Sequence, residues 1–296
     1  MAKISVMETR GYGGTIKEGR KKVKEVPVNQ IICDDAVEVL STFPANSIDL
    51  VITSPPYDNL RDYKGRAFDF EGLATELARV LKQGGVIVWV VNDAVIDGSK
   101  TGTSFKQALY FKDLGLNLHD TMIYGKKGIP YPSIVRYYQV FDYMFILSKN
   151  SPKTFNPIKD RKNLWAGVKA HWGKPRWRQK DGSMKEVKDS HIIPEYSMRT
   201  NIYFYSIGKG NSTKDEIAYK HPAIFPEKLA KDQILSWSNE GDVVLDPMCG
   251  SGTTLKMASK TNRKWIGIDI SEEYCEISRQ RLELCGAFSS KLMEFC

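Results

Sequence analysis

The stretch VVLDPMCGSGTTLKMASK, residues 243–260, holds the local pattern that decides the fold class. Three apolar residues lead to Asp246, a turn passes through Gly250 and Gly252, and a helical pattern begins at Thr253. In open α/β proteins such a turn follows a parallel strand and lets the backbone approach a ligand closely. The stretch therefore predicts a strand, a ligand-binding loop and a helix.

Similar alternation extends through most of the chain. Helical patterns separate seven short β-branched or apolar runs, which are QIIC, IDLVIT, VIVWVV, HDTMIYG, DYMFILS, VVLD and WIGIDI. One helical pattern, FEGLATELARVLKQGG at residues 70–85, has Phe70, Leu73, Leu77 and Leu81 on one face and ends in glycine. We predict an α/β fold with a doubly wound, mostly parallel, seven-stranded sheet.

The next strand along the chain, WIGIDIS, supplies an acidic partner for the glycine turn. Asp269 follows Asp246 by 23 residues, a spacing at which an acidic side chain can bind both hydroxyls of a ribose. The third glycine of the dinucleotide motif is missing, and no Gly-Lys-Ser/Thr follows, so neither a pyrophosphate cofactor nor a P-loop is favoured. An adenosine with an uncharged or zwitterionic chain fits better, and S-adenosylmethionine is such a molecule.

A second loop with chemical character lies in VITSPPYDNL, residues 51–60. Pro55 and Pro56 have no amide donors and stiffen the chain after a buried strand. The Ser54 hydroxyl and the Pro55 carbonyl could accept hydrogen bonds from the two N–H groups of an exocyclic amine on a base. Tyr57 could stack on that base after its extraction from a duplex. We predict these four residues as the catalytic group.

Composition predicts a folded protein, with 42% hydrophobic and 26% charged residues and a net charge of +8. No apolar run has a membrane-spanning length and no secretory signal is present, so we expect a cytoplasmic protein. The five cysteines are widely spaced, which predicts neither a disulfide nor a zinc site, and we expect no metal.

The positive charge is concentrated in two segments, which favours a polyanionic partner. Residues 151–200 hold 12 Lys/Arg against 5 Asp/Glu, and residues 1–26 hold 7 against 3. We predict a flexible basic arm at 1–27, a catalytic and cofactor-binding domain at 28–150 and 221–296, and an inserted target-recognition region at 151–220. In this insertion, basic residues lie among tryptophans, and the predicted DNA-binding residues are Lys169, Lys174, Arg176, Arg178 and Lys180.

With both loops in view, the chain resembles the amino-directed DNA methyltransferases of the circularly permuted β class, over nearly all of residues 31–284. The resemblance rests on TSPPY, CDDAVEVL, HPAIFPEKLAKDQI and DPMCGSGTT. It implies a Rossmann-like methyltransferase fold, S-adenosylmethionine as cofactor and double-stranded DNA as substrate. It also places Asp35 near the cofactor adenine and Phe225 and Pro226 beside the cofactor. The full set of predicted cofactor-binding residues is Asp35, Phe225, Pro226, Asp246, Pro247, Met248, Gly250, Ser251, Gly252, Thr253, Thr254 and Asp269.

The resemblance also bears on the reaction and on partners. Ser-Pro-Pro-Tyr accompanies N4-cytosine enzymes in this family, whereas Asp-Pro-Pro-Tyr usually accompanies N6-adenine enzymes. We therefore expect transfer to cytosine N4, with N6-adenine as the alternative. Related loops occur in RNA and protein-amide methyltransferases, which are a further alternative. A non-catalytic DNA-binding module is another, but it predicts a damaged cofactor loop or catalytic loop, and both loops are intact in this sequence. Family members are often dimers, and the resemblance leaves open both a homodimer and a cognate restriction endonuclease as partners, since no stretch of the sequence identifies either.

Overall fold

The computed structural model describes residues 21–56, 68–128, 134–169, 176–186 and 192–287. The strands are β1 (Gln30–Cys33), β2 (Ile48–Thr53), β3 (Leu81–Val91), β4 (Val95–Ile96), β5 (Ser99–Lys100), β6 (Asn117–Lys127), β7 (Phe141–Ser148), β8 (Lys159–Lys162), β9 (Arg176–Arg178), β10 (Met184–Glu186), β11 (Tyr196–Met198), β12 (Ile202–Ser206), β13 (Val243–Asp246) and β14 (Lys264–Asp269). The helices are α1 (Ala36–Thr42), α2 (Phe70–Val80), α3 (Thr103–Asp113), α4 (Glu227–Trp237), α5 (Thr253–Lys260) and α6 (Glu272–Leu284), with a 3₁₀ turn at Glu216–Lys220.

The main sheet has the order β1-β14-β13-β2-β3-β7-β6-β12. Its strands are parallel except β7, which pairs antiparallel with β3 on one side and β6 on the other. The carboxyl ends of seven strands therefore meet at one edge, and the amino end of β7 lies at that same edge. Ligand sites in open α/β sheets lie at this edge.

All seven predicted strands are present, but the sheet has eight. The extra strand, β12, pairs in parallel with β6 and comes from the segment predicted as an insertion. Its sequence, IYFYS, is rich in strand-forming residues, but it is short and follows a basic stretch with no regular period, so the pattern did not separate it from the insertion. Residues 202–206 of the predicted 151–220 region consequently belong to the main sheet.

The end of α2 also differs from the sequence pattern. The helix stops at Val80, and Leu81 begins β3 directly, where it pairs with Ile48. Leu81 is fully buried, as the helical pattern required, but it points into the core from a strand. The Lys149 ammonium bonds the carbonyl oxygens of Ala78 and Leu81 and so stabilises this abrupt change of conformation.

Apolar side chains cover both faces of the sheet, as a doubly wound fold requires. Alternate residues of β3 separate cleanly: Ile87 and Trp89 join the cluster under α1, α2 and α3, whereas Val88 and Val90 join the cluster under α4, α5 and α6. The Trp89 indole donates to Gln107 of α3 (2.9 Å), so this buried ring keeps its hydrogen bond.

Parts of the basic segments form small elements at the periphery. Two short antiparallel pairs, β8 with β11 and β9 with β10, lie between β7 and β12 in the chain. Arg199 anchors the first pair, because it bonds Asp160 of β8 and Asp232 of α4. Residues 1–20 of the predicted arm lie outside the described residues. Within the described part of the chain, no helix is long and apolar enough to cross a membrane.

The central strand β13 offers a direct test of the fold. Leu245 is fully buried between β14 and β2. We predict that Leu245→Ala lowers the free energy of unfolding by about 2–5 kcal/mol, because it leaves a cavity in a packed sheet. Urea unfolding followed by circular dichroism measures this. The same substitution at Leu109, which is 57% exposed on α3, should cost about 0.5 kcal/mol or less; equal losses would contradict the packing described here.

Candidate active site

A cleft of about 1100 Å³ opens at the carboxyl edge of the main sheet. Its walls include residues that follow β1, β2, β3, β6, β13 and β14. Both predicted loops face it, because Ser54, Pro55 and Pro56 line the same cleft as the glycine turn and Asp269. Two motifs separated by about 190 residues of sequence are thus brought into one site.

The glycine turn is fastened to the neighbouring strand through Asp269. This carboxylate accepts the amides of Gly250 (2.8 Å) and Ser271 (2.9 Å) and is largely buried. Gly250 has φ +50°, and a Cβ there would lie 2.8 Å from His221 Nε2. Glycine is required at this position, because the backbone is left-handed and the imidazole lies directly above it.

Seven more of the predicted cofactor residues line the cleft besides Asp269, and these are Asp35, Phe225, Pro247, Met248, Gly250, Ser251 and Thr253. Four do not, and these are Pro226, Asp246, Gly252 and Thr254. Each of the four instead occupies a position that supports the loop. Pro226 is the residue before α4, and a Cβ on Gly252, at φ +72°, would lie 2.7 Å from Ser278 Oγ. These residues shape the loop from behind.

Asp246 and Thr254 connect the cofactor loop to its surroundings. Asp246 is 2% exposed and accepts the Met248 amide (3.2 Å), which fixes the first turn of the loop. Thr254 Oγ1 donates to the Ile52 carbonyl (3.4 Å) on β2, the strand that leads to Ser54. The first turn of α5 is therefore tied to the strand that carries the other loop.

A buried ion cluster, which pattern reading of the sequence missed, supports the same loop from below. The Arg281 guanidinium is fully buried and bonds Asp215 and Glu227, both at 2.9 Å. It also donates to the Ser251 carbonyl (2.6 Å) and to the Thr253 hydroxyl (3.1 Å). Lys256 of α5 bonds the same two carboxylates. The two cations and two anions satisfy one another, so the charges are paired in a site where an unpaired charge would be costly.

The Pro-Pro loop lies where β2 ends. Pro55 is buried, while Ser54 and Pro56 are half-buried at the wall of the cleft. Neither proline has an amide proton, so the backbone offers carbonyl oxygens without competing donors at these two positions. Tyr57 lies outside the described residues, and its predicted stacking role remains a prediction.

Asp35, which is predicted to lie near the cofactor adenine, and His221 both line the cleft. Asp35 caps α1 by accepting the Val37 and Glu38 amides (2.9 and 3.1 Å), and it lines the cleft from that position. His221 lines the cleft as well, accepts the Ala223 amide at Nδ1 (3.1 Å) and packs against the Tyr274 ring. His221 belongs to the quoted HPAIFPEKLAKDQI segment, but an isolated histidine carries too little pattern to be chosen from sequence.

The predicted DNA-binding residues are only partly described. Lys169, Arg178 and Lys180 are exposed; Arg176 is described only as part of the β9 backbone, and Lys174 lies outside the described residues. The structure adds an exposed basic strand, since all four residues of β8, KDRK, are exposed. Among the residues described here with their side chains, neither Lys169, Arg178 and Lys180 nor the residues of β8 line the cleft.

Burial makes Asp246 a sensitive reporter of this site. Burial is the main cause that raises the pKa of Asp246 from 3.8 to about 6, and the hydroxyls of Thr254 and Thr53 and then the Met248 amide partly offset it. The folded state therefore holds this proton more tightly than the unfolded chain does. The resulting stabilisation is complete below about pH 3.8 and is lost as the pH rises through about 6.

We predict that Asp246→Asn, which cannot ionise, becomes more stable relative to the unaltered protein as the pH rises from 4 to 7. The relative gain should approach about 3 kcal/mol at most. Urea unfolding at several pH values measures it. The exposed Asp113 provides the matched Asp→Asn control. A stability difference for Asp246→Asn that does not change with pH would contradict the role of burial.

Comparison with known proteins shows that this chain is similar to DNA methyltransferases. The profile of the N6/N4 DNA methylases matches residues 48–280. The orphan methyltransferase M.BamHII of Bacillus amyloliquefaciens is 57% identical over 237 residues, which cover 80% of this chain and 89% of that protein. The DNA adenine methyltransferase YhdJ of Escherichia coli is 26% identical over 302 residues, covering 88% of this chain and 85% of its own.

Among solved structures, the cytosine-N4-specific PvuII DNA methyltransferase superposes with a TM-score of 0.62 and covers 89% of each chain at 21% identity. That likeness supports the Rossmann-like fold described above. The family profile spans both the Pro-Pro loop and the glycine turn, and the M.BamHII match covers most of both chains. The chain therefore belongs to the family of N6/N4 amino-directed DNA methylases.

Proposed function

We propose that the protein transfers a methyl group from S-adenosylmethionine to N4 of a flipped cytosine in duplex DNA. One observation carries the proposal: the Ser54-Pro55-Pro56 loop and the Asp269-anchored glycine turn line a single cleft. A methyl donor held at one loop and an amine held at the other would meet without a covalent enzyme intermediate.

The cofactor of this family is S-adenosylmethionine, which supplies an electrophilic methyl group on a sulfonium. The described residues fit such a group. Asp269 is a largely buried acid at the position where a ribose diol is held in related folds, and the Gly250 turn lines the cleft beside it. We propose that Asp34, Asp35 and Phe225 complete the adenosine side of the cleft, which they line.

The catalytic role falls to the loop that follows β2. An exocyclic amine is a weak nucleophile, because its lone pair is delocalised into the ring. We propose that the Ser54 hydroxyl and the Pro55 carbonyl accept hydrogen bonds from the two N–H groups of the amine and thereby orient its lone pair towards the methyl group. As the new N–CH₃ bond forms, the S–CH₃ bond breaks and its electron pair stays on the sulfur of S-adenosylhomocysteine. The methylated nitrogen, now cationic, then releases one proton to solvent water. Tyr57, next along the chain, is proposed to stack on the extracted base.

Cytosine is favoured over adenine by the Ser54 hydroxyl at the position where N6-adenine enzymes usually have aspartate. The cytosine-N4 specificity of the PvuII enzyme agrees with that choice, whereas the Escherichia coli relative is an adenine enzyme. Adenine N6 therefore stays as the second candidate.

The duplex is proposed to contact the exposed basic residues of the inserted segment. Exposed cations of β8, together with Lys169, Arg178 and Lys180, suit contacts with phosphates. We propose residues 151–201, rather than the full 151–220 segment, as the target-recognition region, because β12 is part of the main sheet. Such an enzyme would act on DNA in a prokaryotic cytoplasm or nucleoid. A homodimer and a cognate restriction endonuclease are proposed partners by family likeness alone.

The product identifies the base directly. DNA from cells that express the protein is digested to nucleosides and analysed by mass spectrometry, and the methylated positions are sequenced. We expect N4-methylcytosine at one short recognition sequence, with no such product from cells that carry the empty vector. N6-methyladenine as the sole product would refute the cytosine assignment.

The role of Ser54 has its own test. Ser54→Ala should lower kcat about 100-fold or more, because it removes an acceptor that acts in the transition state. Affinity for S-adenosylmethionine, measured by calorimetry, should stay within about twofold. Ser41→Ala, at an exposed position in the last turn of α1, is the matched control and should retain activity. Full activity in Ser54→Ala would rule out the proposed clamp.

A further inference from the structure

A line of polar side chains crosses the sheet edge next to the Pro-Pro loop. Thr53 pairs with Trp89 across β2 and β3, so Asn92, just past β3, lies beside the prolines. Strand β7 is the next neighbour, with Asp142 at its amino end, and Tyr124 of β6 pairs with Asp142. Neighbouring strands lie about 4.8 Å apart, so Asp142 is about 10 Å across the sheet from β2.

Hydrogen bonds join three of these side chains into one polar chain, Asn92–Asp142–Lys126. Asp142 Oδ1 accepts from Asn92 Nδ2 (2.7 Å) and from Lys126 Nζ (2.8 Å). Asn92 Nδ2 also donates to the Phe141 carbonyl (3.0 Å), and the Lys126 amide donates to the Val140 carbonyl (2.7 Å). The Asn92 side chain is therefore held by backbone as well as by the carboxylate, and the Lys126 ammonium is held by the carboxylate.

All three side chains line the cleft, and their burial distinguishes them from the other cations there. The Lys126 side chain is only 19% exposed and that of Asp142 only 4%. Lys100, Arg136 and Lys209 are the other described Lys and Arg residues that line the cleft, and all are exposed. Lys126 is thus the inner cation, oriented by Asp142 and packed over the Tyr124 ring with Nζ 5.7 Å from its centroid.

We propose that the Asn92–Asp142–Lys126 chain reads the extracted base and that Lys126 donates a hydrogen bond to O2 of cytosine. The inference rests on the proposed cytosine-N4 function and adds the group that selects the base. An ammonium has three donors, and the bond to Asp142 uses one of them. Ser54 and Lys126 would then hold opposite ends of the same pyrimidine edge.

The chemistry of the two bases explains why this donor would discriminate. Cytosine presents its N4 amine, the N3 acceptor and the O2 acceptor in sequence along one edge. Adenine presents its N6 amine and the N1 acceptor, but then a C2–H group, which accepts no hydrogen bond. A partly buried ammonium beside C2–H would lose a partner, and such a loss typically costs about 10- to 100-fold in affinity or rate. Lys126 is therefore a specificity-determining residue in this proposal.

A binding experiment separates base reading from phosphate contact. It uses the full protein with S-adenosylhomocysteine and two duplexes that carry the recognition sequence found by sequencing. One duplex has pyrimidin-2-one at the target position, which keeps O2 and N3 but has no amine, and the other has an abasic site. We expect Lys126→Met to weaken binding of the pyrimidin-2-one duplex about tenfold or more and to leave the abasic duplex within about twofold.

Two further variants serve as controls for this experiment. Lys127→Met removes the same charge from the adjacent exposed residue, which does not line the cleft, and should not change the ratio between the two duplexes. Lys126→Gln can still donate to Asp142 through its amide, but that amide is uncharged and one bond closer to the backbone than the ammonium, so this variant serves if the methionine variant fails to fold. It should show the same selective loss, with cofactor affinity retained.

The outcomes are distinct. Equal weakening of both duplexes by Lys126→Met or Lys126→Gln would identify a phosphate contact and overturn the proposal, as would no weakening at all. In either case N4-methylcytosine from the unaltered protein would leave the proposed function intact. N6-methyladenine from the unaltered protein would overturn the proposed function and this inference together.

Discussion

The hydrogen bond from the Gly250 amide to the Asp269 carboxylate is the contact on which the site depends. It joins the loop after β13 to the end of β14, two neighbouring parallel strands. Because the amide and the carboxylate satisfy each other in a largely buried place, the loop has one preferred path. His221 above Gly250 and Arg281 below Ser251 then hold that path from both sides.

The same arrangement explains how two chemically different halves share one cleft. On the β14 side, an acidic and glycine-lined wall suits an adenosine. On the β6 side, the inner cation Lys126 suits a base, and the exposed cations of the cleft suit phosphates. The prolines after β2 lie between the halves, because β2 is in the middle of the sheet between β13 and β3. The sheet order thus determines where donor and acceptor would meet.

Much of this could be predicted from local pattern. Seven strands, the glycine turn and the Pro-Pro loop each have a signature within about 20 residues, because strand periodicity and turn chemistry are local properties. Strand β12 escaped prediction because five residues after an irregular segment carry no period, and only pairing with β6 defines them. The end of α2 at Val80 was equally hidden, because Leu81 is apolar in either conformation and Lys149, far along the chain, stabilises the break.

The sequence by itself determined the fold class, the methyltransferase family and the two loops, since each depends on residue types at short, regular spacing. Tertiary structure alone decided which residues touch the cleft and which support it. Asp246 and Asp269 look alike in sequence, yet one is buried behind the loop and the other lines the cleft. The Arg281 cluster and the Asn92–Asp142–Lys126 chain join residues from separate elements. These contacts depend on the tertiary structure because charges and polar groups need partners only once folding has buried them.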